Sequence, residues 1–388
     1  MNAFAAILTL LYLFGIPLLL VIMAKRWPII DKITPMMILY VIGLIVGNIG
    51  IIGKTSEIIC TNISNVMVLI AIPLMLLGCD FKMLSAKSAV KAFFVGLFSI
   101  LIVTIAGFYI FHGQASAAGM SDTNFAKVSA VMIGIYTGGI PNLAPVSKAV
   151  DLPQNLFLFI SSYDLVVTGL YLIFIVFLGK RIIRWLFPAP KVESSTEELA
   201  EAQVVVKDNN SFWHKVLNRG VGIGVSFLIV LVSFLLSLAI PSSNDTAIII
   251  IAITTFSILL SFWKPTKRLE GTFDVGLYFV YVFCLAVATM VNIHEMEFSK
   301  YLFILYYIAF AVFGSLILQI LFSKLFKLDG DLMLASSIAL INSPPFVPMV
   351  AAVLKNKNVI LPGIAIGLLG YAVGTYLGYG IFLLLSHL

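Results

Sequence analysis

The chain is 388 residues long, 61% hydrophobic and 11% charged, with a mean hydropathy of +1.09. Soluble domains carry about 25% charged residues, so this composition excludes a soluble globular protein and points to a polytopic protein of the cell membrane, such as a bacterial inner membrane. The net charge of +6 sits in lysines and arginines at the ends of apolar runs, without the stacking aromatics of a nucleic-acid surface, so no nucleic-acid partner is expected.

Hydropathy predicts twelve spans, near 3–24, 34–53, 63–82, 89–111, 126–150, 155–179, 217–240, 246–263, 272–292, 299–323, 331–354 and 359–386. Each approaches the ~20 residues a bilayer requires. The first lacks a basic leader and reads as a retained span, not a cleaved signal. Cys60, Cys79 and Cys284 have no metal-ligand or redox spacing and read as buried thiols. An extended polar segment, 188–215, reads as a cytoplasmic linker between a first half, 1–187, and a second, 216–388.

Trp185, Trp213 and Trp263 should mark one membrane interface, and the basic residues around them (Lys180, Arg181, Arg184, Lys215, Arg219, Lys264, Lys267, Arg268) place that face in the cytoplasm. Lys324 and Lys327 agree. With twelve simple crossings, however, Lys25, Arg26, Lys32, Lys82, Lys87 and Lys91 fall outside. Inverting the first half repairs the charges and makes the halves antiparallel, so one listed segment is expected not to cross.

Two spans are interrupted. In Ile135-Tyr-Thr-Gly-Gly-Ile-Pro-Asn-Leu-Ala-Pro-Val146, two glycines precede Pro141 and Pro145, and the break covers 137–145. In Ile341-Asn-Ser-Pro-Pro-Phe-Val-Pro348 the same proline spacing returns 203 residues later, at Pro344 and Pro348, and the break covers 342–348. Glycine permits unusual backbone angles, and proline withholds an N–H and clashes with the preceding turn. In hydrocarbon such a break survives only where protein or a polar cavity satisfies it. A matched pair in two halves points to a transporter's midplane binding site, against the alternative of two ordinary proline kinks.

Asp164 lies deep in the sixth span, and an ionisable residue there is a functional candidate. Helical spacing puts Ser161, Asp164 and Thr168 on one face. Burial favours the neutral carboxyl and a bound cation the ionised one, so such a group can exchange protons for sodium. The alternative is an aspartate that only bonds a neighbouring hydroxyl or caps the break. At the breaks Thr137, Asn142, Asn342 and Ser343 offer oxygens and amides, and Gly138 and Gly139 expose backbone. Asp164, Thr137, Ser161 and Thr168 are the candidate ion-coupling residues, Gly138, Gly139, Asn142, Asn342 and Ser343 the candidate substrate ligands, and Asp164, Asn142 and Asn342 the possible Na⁺ set. Helix N-termini after each break favour an anionic group. Asp80, near Lys82, reads as an interface-paired carboxylate, and Asn292, His294 and Glu295, which close the ninth span, read as interface residues. Gly363, Gly367, Gly370, Gly374 and Gly378 recur at helical spacing, which predicts close packing of the last span.

Thr137-Gly-Gly-Ile-Pro-Asn-Leu-Ala-Pro-Val146 and Leu361-Pro-Gly-Ile-Ala-Ile-Gly-Leu-Leu-Gly-Tyr-Ala-Val-Gly-Thr-Tyr-Leu-Gly378 resemble the YjcL-like family of membrane proteins of unknown function, over nearly the whole chain. That family is grouped with the cation/proton antiporter and anion transporter superfamily. The resemblance implies inverted repeats, crossed broken helices, a core domain beside a panel domain, and a homodimer. It also implies an ion-binding acid on the helix after the first break, where Asp164 stands. At the second break the chain departs from the pattern: Leu340 and Asn342-Ser343 replace an Asn and a glycine pair, and Thr375 stands where Asn is common.

The expected fold is all-α, with about 11–13 membrane segments in two related halves. The expected function is a secondary active transporter of a small solute, an organic anion, coupled to Na⁺ or H⁺. Plain Na⁺/H⁺ exchange is the alternative. An intramembrane aspartyl protease is a distant one, because Tyr163-Asp164 has no matching second carboxylate. No enzymatic activity and no cofactor beyond a possible Na⁺ are expected.

Overall fold

The computed structural model describes residues 3–27, 35–49, 53–77, 87–187, 212–239, 245–263, 269, 271–290 and 299–386, and every regular element among them is helical. In the first half these are α1 (Ala3–Arg26), α2 (Pro35–Asn48), α3 (Lys54–Leu77), α4 (Lys87–Ala117), α5 (Asp122–Tyr136), α6 (Leu143–Ala149) and α7 (Gln154–Phe174). A π-helical turn, Ile175–Gly179, joins α7 to α8 (Lys180–Leu186). The second half holds α9 (Phe212–Ala239), α10 (Asp245–Ser261), α11 (Thr272–Thr289), α12 (Leu302–Leu325), α13 (Gly330–Ile341), α14 (Val347–Leu354) and α15 (Ile360–Ser386). Residues 188–211 of the expected linker lie outside the described residues, as do Cys79, Asp80, Lys82, Asn292, His294 and Glu295.

Side-chain contacts fix the direction of each helix. The Phe108 ring stacks on Phe125 at 5.0 Å and His112 pairs with Asp122 at 3.0 Å, so α5 starts where α4 ends and runs back along it. Lys127, near the start of α5, donates to the carbonyl oxygen of Asp151, just past α6, at 2.7 Å. A helix continuing through the break would carry Asp151 roughly 36 Å beyond Lys127 at 1.5 Å per residue. Instead, a β-carbon on Gly134 of α5 would meet Val146 of α6 at 2.6 Å. The interrupted segment folds back and leaves by the face it entered. The second does the same from the other face: Asn356, past α14, donates to the carboxylate of Asp331, at the start of α13, at 2.9 Å.

This corrects the expectation that segments 126–150 and 331–354 each span the membrane. Two of the twelve apolar segments are re-entrant hairpins, with arms of 15 and 7 residues in the first and 12 and 8 in the second. The reason is local. Pro145 and Pro348 both fall in the first turn of a returning arm, where a helix N–H has no partner to lose. The prolines start the return and do not kink a continuing helix. Eight helices are long and apolar enough to span by themselves among the described residues, and α2 and α10 are shorter.

With the shorter α2 and α10 taken as crossings beside the eight long helices, and the two hairpins removed from the count, each half has five, and an odd number makes the halves antiparallel. Arg26, Lys87, Lys91, Lys180, Arg181, Arg184, Arg219, Lys324, Lys327 and Lys355 then gather at one face, and Lys127, Lys148 and Lys300 at the other. The conflict over Lys25, Arg26, Lys87 and Lys91 disappears, and the positive-inside rule makes the first face cytoplasmic. Trp27, Trp185 and Trp263 are all exposed at helix ends on that face.

The halves pair around an approximate twofold relation. Helix α3 packs most extensively on α11 and α4 on α12, each with its own counterpart, while α2 packs on α11 and α10 on α3. Helices α1–α3 with α9–α11 form a panel, and α4–α8 with α12–α15 form a core. Lys148 of α6 reaches Asn65 of α3 at 2.5 Å, and Thr255 of α10 meets Tyr376 of α15 at 2.8 Å, tying panel to core.

The glycine stripe of α15 has its packing partners in order. β-Carbons at Gly363 and Gly367 would meet Val347 and Pro344 of the second hairpin, and at Gly374 and Gly378, Asn142 and Val146 of the first. At Gly370 one would overlap the carbonyl oxygen of Thr137. One helix thus backs both hairpins, and only small residues let it lie that close.

Candidate functional site

The hairpin tips meet in the middle of the core. The first reverses at Gly139 (φ 101°), before a 3-10 turn at Ile140–Asn142. The second reverses at Ser343 (φ 112°, ψ 155°), before a 3-10 turn at Pro344–Phe346. Gly139 and Ser343 touch: a β-carbon on Gly139 would overlap the Ser343 hydroxyl. Glycine adopts such a φ without strain, whereas the Ser343 backbone lies in a region almost restricted to glycine.

Each tip is anchored to the long helix that follows the other hairpin. Asn342 donates its amide Nδ2 to the carbonyl oxygen of Thr168 on α7 (3.1 Å), and Asn142 donates to that of Gly370 on α15 (3.1 Å). These bonds divide the sequence-predicted residues into two groups. Asp164, Thr168, Asn342, Ser343 and Gly139 lie together on the α7 side. Thr137 and Asn142 lie against Gly374 of α15. Gly138 is wedged against Gly370 and Tyr371. Asp164, Asn142 and Asn342 therefore do not surround one point.

On the α7 side Asp164 is 8% exposed, and its carboxylate accepts a hydrogen bond from the Tyr136 hydroxyl at 2.8 Å. Tyr136 is the last residue of α5, so this bond ties the acid to the first tip. Among the described residues no cationic side chain pairs with Asp164. The expected oxygen patch is partly spent. Thr168 donates its hydroxyl to the Asp164 carbonyl (2.7 Å) and Ser161 to the Phe157 carbonyl, leaving only lone pairs to offer. Thr137 likewise donates to Ile133 and Gly134 carbonyls at 3.0 Å.

Asn342 Oδ1 and Ser343 Oγ, by contrast, are buried without a hydrogen-bond partner. A buried oxygen with no donor costs about 1–3 kcal/mol, which a ligand offering a positive charge or a proton would offset. Neutral amide and hydroxyl oxygens are donors suited to a hard monovalent cation. Groupings of three or more His, Cys, Asp or Glu able to hold a transition metal do not occur among the described residues.

Sequence reasoning missed three groups. Tyr136 directly precedes the Thr-Gly-Gly run, yet nothing local aims its hydroxyl at Asp164. Tyr371 of α15 lines a crevice with Thr375, Asn142, Pro141 and the panel residues Ile72, Met75 and Leu76. Asp331 is wholly buried at the base of the second hairpin. The Arg184 guanidinium sits 2.9 Å from its Oδ1 and donates to its Oδ2 at 3.0 Å. Only the fold brings α8 to α13.

A family model described as "Protein of unknown function (DUF819)" matches residues 10–388. The chain is also similar to the uncharacterized membrane protein YjcL of Bacillus subtilis (strain 168), 22% identical over 130 residues. That match spans a third of this chain and a third of the relative's length.

Proposed function

Because the chain belongs to the DUF819 family, whose description assigns no activity, we propose from the site itself that it is a secondary active transporter of a small organic anion, coupled to Na⁺ or H⁺. The observation that carries this reading is the meeting of two re-entrant tips, entering from opposite faces, beside an intramembrane carboxylate. Such a junction is the barrier between two aqueous approaches, and movement of core against panel would open it to one side at a time. Asp164 is the coupling acid, held by Tyr136. Asn342 Oδ1 and Ser343 Oγ are the neutral ligands of the cation. Asn142, with Gly138, Thr137 and Thr375, faces the solute.

Plain Na⁺/H⁺ exchange is favoured by one observation. The crevice beside Asn142 is about 20 Å³, room for one water and not for an organic anion. A carrier that closes completely in this conformer also fits.

The test is the thermal stability of the purified protein in NaCl against KCl at matched ionic strength, alongside Asp164→Asn. A cation binding only the folded state raises stability by RT ln(1 + [L]/Kd), about 2.7 kcal/mol at a hundredfold excess over Kd. A sodium-specific rise, absent in Asp164→Asn, is expected, followed by sodium-dependent uptake of a carboxylate solute in proteoliposomes. Sodium-driven proton movement without any solute would replace the first reading by exchange. No response to sodium and no proton movement would sink both.

A further inference from the structure

The outer face of the core carries a groove apart from the hairpin junction. It runs between α4 and α12 at their cytoplasmic ends, has a volume of about 520 Å³, and is walled by Phe94, Phe98, Phe322 and Phe326, with Lys91 at its rim. Lys87 and Lys91 are four apart on the helix, and Phe94 and Phe98 continue the same stripe. Both lysines are exposed, and neither is ion-paired among the described residues. Like charges at this spacing repel, so the pair is poised for an anion.

The groove's dimensions favour one occupant. From Lys91 to Ile102, which lines the deep end, α4 rises about 16 Å, half of a ~30 Å hydrocarbon core. One acyl chain of the cytoplasmic leaflet has that reach. At the far ends of the same helices the arrangement differs: His112 of α4 is already paired with Asp122 at 3.0 Å. We propose that the α4–α12 groove is a binding site for an anionic glycerophospholipid of the cytoplasmic leaflet, its acyl chain against the phenylalanines and its phosphate on Lys87 and Lys91.

The experiment is native mass spectrometry of the full chain released from detergent with equimolar phosphatidylglycerol and phosphatidylcholine. The wild type is expected to retain phosphatidylglycerol preferentially. Lys87→Gln/Lys91→Gln should lower that preference about tenfold or more, as the loss of two lysine–headgroup contacts implies, while its melting in phosphatidylcholine stays unchanged. Lys324→Gln/Lys327→Gln, which removes as much charge from the same face outside the groove, should keep the preference. Equal losses in both variants would mean a diffuse surface attraction and overturn the site, as would no loss in the first. Disulfide cross-linking between copies carrying Phe98→Cys, in native membranes, would show that a second copy fills the groove and would equally refute the lipid.

Discussion

Gly139 and Ser343 face each other at the centre of the protein, each the reversal point of its own hairpin and each with a positive φ, 101° and 112°. The pair marks where the two antiparallel halves meet, and only one member is the residue such a backbone favours. A serine kept in a glycine conformation holds a hydroxyl at the junction, at a cost of about 1–3 kcal/mol. Ser343→Gly is expected to raise the melting temperature and weaken the sodium response together. A stabilised variant with undiminished sodium response would show that the hydroxyl is not a ligand. Gly139→Ala should destabilise, since its β-carbon would overlap that hydroxyl.

The re-entrant hairpins make a sharp topological prediction. Cysteines placed at Asp122 and Asp151 should react with an impermeant maleimide from the same side, outside the cell. Cysteines at Lys327 and Lys355 should both be protected until the membrane is opened. A segment that crossed would put the two members of either pair on opposite sides.

The bond from Tyr136 to Asp164 separates holding the acid from being the acid. Asp164→Asn should abolish coupled flux while the protein still folds, because the amide keeps the shape and loses the charge. Tyr136→Phe should retain flux with a shifted sodium half-saturation, since one hydrogen bond to a charged group is worth about 1.5–3 kcal/mol. Flux measured at varied sodium in proteoliposomes distinguishes the two. Identical behaviour of both variants would mean that the tyrosine and the acid act as one unit.

At the base of the second hairpin, Arg184→Ala leaves the wholly buried Asp331 carboxylate without its cation. Breaking a buried pair from one side costs about 3–5 kcal/mol. Asp331→Asn leaves Arg184, which is 31% exposed, able to reach water, so it should cost less. Chemical denaturation of the two single variants and the double variant would order them. An Arg184→Ala cost below about 1 kcal/mol would show that water already screens the pair.

The glycines of α15 divide into those that touch and those that do not. Gly374→Ala places a methyl on the Asn142 amide and the Thr137 hydroxyl, and should destabilise by about 1–3 kcal/mol. Gly380 has nothing within 4 Å, so Gly380→Ala is expected to be neutral or slightly stabilising. A melting comparison in one detergent suffices.

By itself the sequence determined the membrane class, because a bilayer leaves no other home for chains of this hydropathy. It located both interruptions to within a few residues, because glycine and proline act on the backbone wherever they stand. It also singled out Asp164 and showed, through its basic residues, that a simple twelve-crossing count was inconsistent. Which segments turn back was a tertiary matter. A broken apolar helix and a re-entrant hairpin have the same composition, and they separate only when Lys127 is seen to reach Asp151 and Asn356 to reach Asp331. The site divided for the same reason. Asn142 and Asn342 look equivalent along the chain, but one is bonded to α15 and the other to α7, whose carbonyls lie 228 and 174 residues away. Hydrogen bonds over such separations depend on how helices pack, and packing is written in no local stretch of residues.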